Sequence, residues 1–275
     1  NPNYEIIEAA QNIRKGNPDR PFLFVMEATV GMVPMIKSWI CNTQTMEGVH
    51  ENTLLILDEP GKKLLDAFDP AKGMHVVQDS IPKYLQGSWD YGRLGYWRMT
   101  QSRFHTILDI IELGNVPAML IEPDAVWLEN PLDDPDIVDS DEDIVAFVNM
   151  VRPDGTNGPI GFGFLRLNPT DTVIKVLTVA GRAVDSILKE ASKGTEDDPS
   201  YQVGSIKGEQ NVFSELIQAL ADRYPERKLA HYLPDCRYPS GKWYMAGAKC
   251  QRGGARSTMV IQNNWICGND KKIER

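Results

Sequence analysis

The chain has no apolar run near the roughly 20 residues that a membrane-spanning helix needs, so no segment reads as a span. Basic charge is also in short supply. Against 38 acidic residues stand 29 lysines and arginines, a formal net charge of -9, and a general nucleic-acid binder would show the opposite balance. The four cysteines, Cys41, Cys236, Cys250 and Cys267, include no CxxC pair, which argues against structural zinc. A Cys236–Cys250 disulfide is one reading and buried free thiols are the favoured one. His50, His75, His105 and His231 form no pair at metal-ligand spacing. No GxGxxG fingerprint follows the first apolar run, and "GFGF" at 161–164 is not one, which disfavours a nicotinamide or flavin oxidoreductase. The opening Asn1-Pro2-Asn3-Tyr4 has no basic region ahead of an apolar core, so no signal peptide is visible in it. Also absent is any N-x-[ST] site with x other than Pro.

What is present suits a sizeable core: 275 residues, 42% of them hydrophobic. The compact apolar runs "RPFLFVMEAT" (20–29), "NTLLILDE" (52–59) and "MHVVQD" (74–79) read as strands. Between them "VPMIKSWICNTQTM" (33–46) and "PGKKLLDAF" read as helices, the first with Pro near its start. Strand and helix in alternation are the pattern of a parallel sheet wrapped by helices. In 91–114, Phe104, Ile107, Leu108 and Ile111 keep helical spacing and Gly114 supplies the stop. Two further strands are expected at 143–151 and 161–168, and helices over 171–191 and from Glu209. The polar 193–205 reads as a mobile loop, the acidic "DDPDIVDSDED" (133–143) as a solvated one, and 228–275 as irregular.

One stretch stands out. In "LIEPDAVWLENP" (120–131) an apolar strand runs straight into Glu122 and Asp124, then turns apolar again. Carboxylates inside such a segment are costly to bury without a partner. Open α/β sheets bind ligands beyond the carboxyl ends of their strands, where a carboxylate-x-carboxylate pair can chelate a hard divalent cation and bridge a diphosphate. Trp127 reads as core packing rather than a sugar platform. Trp243 and Tyr244, in an irregular segment, are the candidates for stacking on an acceptor, and the basic, Gly-rich "QRGGAR" (251–256) reads equally as a phosphate approach or a surface turn.

"EPDAVWLENP" resembles the D-x-D-x-V-W-L-x-[DN]-P signature of the nucleotide-diphospho-sugar transferase family, retaining glycosyltransferases of the GT-A fold that include xylosyl-, arabinosyl- and galactosyltransferases. In order behind it come "GPIGFGFLRLNPT", "GEQNVFSELI", "LPDCRYPSGKWY" and "VIQNNWICGNDKKIER", each similar to a family segment, so that the likeness covers roughly 21–275. It implies a single GT-A catalytic domain over 1–275, a Rossmann-like mixed sheet flanked by helices. The nucleotide-binding half would be about 20–131 and the acceptor half about 132–275. It further implies transfer of a sugar from a nucleoside diphosphate sugar, UDP by expectation, to a hydroxyl on a glycan or glycoconjugate, with retained configuration.

The resemblance also assigns roles. Asp124 would ligate a divalent cation, Mn²⁺ by expectation, with Glu122 beside the metal or the donor ribose. Arg103 would contact the donor's phosphates or sugar, Lys272 would pair with the diphosphate, and Thr29 would sit where the fold receives the nucleoside base. Glu209 would stand near the anomeric carbon as nucleophile or electrostatic stabiliser. The sequence departs from the family pattern twice: Glu122 replaces the usual Asp, and Gln262 replaces a histidine that completes the metal site. The alternative function is therefore a non-catalytic member that binds nucleotide sugar or glycan. No nucleic-acid partner is implied, and a membrane enters only through an anchor outside this sequence. The implied compartment is the Golgi lumen, with the cytoplasm as the alternative.

Overall fold

In the computed structural model, residues 3–78, 87, 89–149, 157–195, 198–241 and 257–263 are described. The chain enters through α1 (Tyr4–Gly16), then alternates β1 (Leu23–Ala28), α2 (Val33–Thr43), β2 (Thr53–Leu57), α3 (Glu59–Asp66) and β3 (His75–Gln78). Next come α4 (Leu94–Glu112), β4 (Ala118–Ile121), the short β5 (Val126–Trp127), α5 (Pro135–Val138), β6 (Ile144–Val148) and β7 (Ile160–Leu167). The described residues end with α6 (Asp171–Ala191), α7 (Glu209–Arg223), β8 (Ala230–Tyr232) and β9 (Val260–Ile261).

Seven strands form one sheet in the order β3-β2-β1-β4-β7-β6-β8. β1 is parallel to β2 and β4, and β2 to β3. β7 then runs antiparallel between β4 and β6, while β8 is parallel to β6. This is the mixed sheet that the family resemblance implies; the strand–helix alternation alone suggested a parallel one, and β7 departs from it. β1 and β2 are buried at every position because helices cover both faces, which is why these strands read as continuous apolar runs. In β1, Leu23 and Val25 face the layer of α1, α4, α6 and α7. Phe24, Met26 and Ala28 face the layer of α2, α3 and β5, as the two-residue period of a strand requires.

Four expectations change. The sequence reading begins at the first apolar run and passes over α1, whose Ile6, Ala10 and Ile13 pack into the core. The two described cysteines are not buried free thiols: Cys41 is free but exposed, and Cys236 is buried and disulfide-bonded. The acidic 133–143 segment is not simply solvated. Asp134 is fully buried, caps α5, and accepts hydrogen bonds from Arg237 Nε (3.1 Å), Arg237 Nη2 (3.0 Å) and the Tyr238 hydroxyl. Finally, the described part of 193–205 is tied down against the start of α4. Leu94 and Gly95 donate to the carbonyls of Tyr201 and Pro199, and Val203 and Gly204 both donate to Gly92 O. Trp97 Nε1 adds a bond to Gly204 O at 3.0 Å.

Candidate active site

All four residues of β4 are buried, and the chain leaves the sheet's carboxyl edge at Glu122. Ala125 N donates back to Glu122 O (3.3 Å), closing a tight turn that carries Asp124. What fixes the turn is Trp127 beyond it. Trp127 is fully buried, its ring 5.2 Å from Phe24, 5.4 Å from Trp39 and 5.9 Å from Phe164. The Asn42 side chain also clamps its backbone, accepting from Trp127 N at 3.0 Å and donating to Trp127 O at 2.9 Å. Trp127 thus packs in the core as the sequence suggested. Behind the turn, β9 pairs antiparallel with β5, Val126 opposite Ile261 and Trp127 opposite Val260. That register returns Gln262 and Asn263 to the turn, where Asn263 Nδ2 donates to Asp124 O at 2.8 Å.

Glu122 is held by Arg103. Arg103 Nη1 donates to Glu122 Oε1 at 2.6 Å, and its Nη2 donates to Glu209 Oε1 at 3.2 Å. One guanidinium from α4 therefore bridges a carboxylate at the end of β4 and another in the first turn of α7. All three side chains are largely buried, 10% exposed at Arg103, 23% at Glu122 and 3% at Glu209. Burial alone would lower the Arg103 guanidinium, but the charges of Glu122 and then Glu209 overturn that and hold it above its ordinary value. Tyr96, one helical face along α4, joins the same field: burial first, and then Glu209, push its phenol well above the ordinary range.

A glycine permits the approach of α7. A Cβ on Gly208, the residue before Glu209, would lie 2.6 Å from the Trp97 ring, so any larger residue would push Glu209 away from α4. The next residue, Gln210, accepts from Asn149 Nδ2 at 2.8 Å, which ties the start of α7 to the end of β6.

Gln262 is fully buried, and its Nε2 donates to Gly163 O at 2.9 Å. A carbonyl accepts but cannot donate, so this contact assigns the amide and turns Oε1 the other way. Gln262 Oε1 has no hydrogen-bond partner among the described residues. Both Gln262 Oε1 and Glu122 Oε2 lie 2.6 Å from the point where a Cβ on Gly163 would stand. Two oxygens from distant segments thus converge over a bare backbone. Among the described residues no three His, Cys, Asp or Glu side chains form a metal-binding group. The set expected from the sequence is two carboxylates, Glu122 and Asp124, and one amide, Gln262, of which Glu122 and Gln262 turn oxygens together over Gly163. Its all-oxygen chemistry and the orphaned buried acceptor fit a hard divalent cation.

Thr29 lies at the end of β1, buried, its carbonyl accepting from Met32 N at 2.9 Å. The neighbouring β2 ends on Asp58, which is fully buried and accepts from Gly61 N at 3.0 Å to cap α3. Burial raises the Asp58 carboxyl above its usual range, against backbone donors at Val30, Gly61 and Gly87. Lys272, Trp243, Tyr244 and the "QRGGAR" segment lie outside the described residues. The sequence reading missed three contributors to the site and one further anomaly in the sheet. Buried Glu27, in β1, repeats the anomaly of Glu122, a carboxylate in an apolar strand, and was legible on that ground. Tyr96, Gly163 and Gly208 carried no local signal, because only the packing of α4, β7 and α7 gives them neighbours.

A mixed sheet with carboxylates and an arginine gathered beyond its central strands is the arrangement of a GT-A glycosyltransferase. Solved structures share the fold. Mouse xyloside xylosyltransferase 1 in its apo form superposes with a TM-score of 0.54 at 10% identity, over 89% of this chain and 98% of that one. The galactosyltransferase LgtC, solved with donor and acceptor sugar analogues, gives 0.52 at 11% identity, over 91% and 94%. Residues 48–275 match the family model described as nucleotide-diphospho-sugar transferase, and the chain belongs to that family. In sequence it is similar to a UDP-D-xylose:L-fucose alpha-1,3-D-xylosyltransferase of Arabidopsis thaliana, 22% identical over 99% of this chain and 68% of the relative. It is also 26% identical to the beta-arabinofuranosyltransferase RAY1 of the same plant, over 88% of this chain but only 44% of the relative. The family implies a nucleotide-sugar donor and a glycan acceptor. No helix among the described residues is long and apolar enough to cross a membrane.

Proposed function

We propose that the chain transfers a sugar from a UDP-sugar to a hydroxyl of a glycan or glycoconjugate with retention of anomeric configuration. The observation that carries this reading is the convergence at the carboxyl edge of β4, where Arg103 spans Glu122 and Glu209 while Gln262 and Glu122 turn oxygens over Gly163. Asp124, Glu122 and Gln262 would hold a divalent cation, Mn²⁺ by preference. Such an ion, when bound, supplies positive charge to the departing diphosphate. Thr29 is assigned to the nucleoside side; by the family resemblance Lys272 would add a cation for the diphosphate, and Trp243 and Tyr244 would stack on the acceptor.

In the transfer, the bond between the anomeric carbon and the phosphate oxygen breaks as the acceptor oxygen bonds to that carbon. The acceptor's proton passes to a phosphate oxygen. Glu209, already committed to Arg103, acts here as an electrostatic stabiliser of the oxocarbenium-like state rather than as a free nucleophile. Arg103 orients it and keeps two carboxylates from repelling each other. The relatives' UDP-xylose donor favours a pentose, and the resemblance favours the Golgi lumen.

The test is a calorimetric titration of UDP with Mn²⁺ present and again with EDTA. Binding that collapses with EDTA is the expected outcome. Binding that ignores EDTA would move charge neutralisation to Lys272, since Arg103 is already held between two carboxylates, and no UDP binding under either condition would overturn the UDP-donor reading.

A further inference from the structure

A donor sugar seated beside Glu209 carries several hydroxyls, and each needs a partner when the ring leaves water. We infer that Tyr96 is a specificity-determining residue that contacts the donor sugar, its phenol hydroxyl and the second carboxylate oxygen of Glu209 together clamping one hydroxyl of that ring. The inference rests on the sugar-transfer reading of the site.

Tyr96 and Arg103 stand seven residues apart on α4, about two helical turns, and so share one face of it. Packing fixes the Tyr96 ring, which lies 5.1 Å from Trp97 at 81° and 5.3 Å from Tyr91 at 62°. Trp97 in turn abuts the start of α7, where a Cβ on Gly208 would lie 2.6 Å from its ring. Tyr91 is tied to the segment just ahead of α7 through Ser205, the two hydroxyls 3.0 Å apart. One aromatic wall thus runs from the surface, where Tyr91 is 47% exposed, to the residue before Glu209.

Two polar atoms at the inner end of this wall are left over. Glu209 gives Oε1 to Arg103 Nη2 at 3.2 Å, and its Oε2 takes no hydrogen bond among the described residues. The Tyr96 hydroxyl makes none either, although Glu209 is the charge that acts on it most strongly. Burial and that charge both keep the phenol protonated at neutral pH, so the pair offers one donor and one acceptor. A sugar hydroxyl answers both with a single oxygen. A phosphate oxygen has no proton to give and would meet Glu209 charge against charge, while an ammonium group would leave the phenol proton without an acceptor. Arg103 holds Glu209 beside the reacting carbon, so the hydroxyl within its reach belongs to the donor ring.

The experiment is calorimetric titration of UDP, UDP-xylose and UDP-galactose, with Mn²⁺ present, into the wild type and Tyr96→Phe, with Tm measured for both proteins. Phenylalanine keeps the ring, and the hydroxyl it lacks has no protein partner among the described residues, so Tm and the affinity for UDP should be unchanged. The ratio of UDP-sugar to UDP affinity should fall about three- to tenfold for at least one of the two sugars, the worth of one hydrogen bond. Ratios unchanged for both sugars, with UDP still bound, overturn this inference and leave the UDP-donor reading standing. An equal loss for all three ligands with a lowered Tm also overturns it, because the hydroxyl then serves the fold. Wild-type binding of UDP but of neither UDP-sugar does the same. No UDP binding by the wild type overturns the donor reading, and this inference with it.

Discussion

Replacing Arg103 by methionine should destabilise the fold, and the amount follows from what the guanidinium leaves behind. It removes the cation that bridges two carboxylates, one 3% and one 23% exposed. Glu122 regains some hydration through its partial exposure; Glu209 regains almost none. Breaking a buried ion pair from one side costs about 3–5 kcal/mol because a charge is stranded, and most of that should arise at Glu209. For a chain of this size each kcal/mol lowers Tm by about 2–4 °C, so Arg103→Met should melt roughly 6–20 °C below wild type. Glu209→Gln should cost less, about 1–2 kcal/mol, since its amide oxygen still accepts from Nη2 while losing only the charge. In the double variant no charge is stranded on α7, so the two losses should fall short of additive by about 1–3 kcal/mol. Urea unfolding of the four proteins reads the cycle directly. Strict additivity, or an Arg103→Met loss below about 1 kcal/mol, would show that the bridge does not hold the two carboxylates as described.

Two other perturbations test neighbouring parts of the structure. Asp134→Ala strands Arg237, 8% exposed, and should cost about 3–5 kcal/mol in urea unfolding, while Asp134→Asn, which keeps an acceptor, should cost less. His50, in contact with Thr43 Oγ1 at 2.9 Å and with its ring tilted 38° to that of Trp39, has its pKa lowered from 6.5 by burial, with Glu51 opposing. The unfolded chain therefore takes up a proton before the folded one, and stability present above 6.5 is lost as pH falls through the folded pKa. His50→Gln should flatten the slope of Tm against pH just below 6.5, and an unchanged slope would refute the assignment.

The lesson of Asp134 recurs across the molecule. Composition marked 133–143 as solvent-facing, because eleven residues rich in aspartate carry no visible partner. The partner comes from Arg237 and Tyr238, some hundred residues later. The polar 193–205 segment was misread for the same reason, since its ordering contacts are backbone bonds to Gly92, Leu94 and Gly95, and backbone bonds leave no trace in side-chain polarity. Cys236 shows the limit in another form, for its spacing allowed a bridge without requiring one.

The sequence by itself determined the strands, the long helices and the ordered motifs that fix the family, because apolar periodicity and turn residues act locally. It also marked Glu122 as anomalous: a carboxylate within an apolar strand must be compensated by something. Only the tertiary structure decided by what. Arg103 lies 19 residues before Glu122 and Glu209 lies 106 after Arg103, and their meeting depends on the tight approach of α7 to α4 at Gly208. Gln262 faces Glu122 across Gly163 because of the β5–β9 register. The cost of burying charge is legible residue by residue, whereas the group that offsets it is chosen by packing.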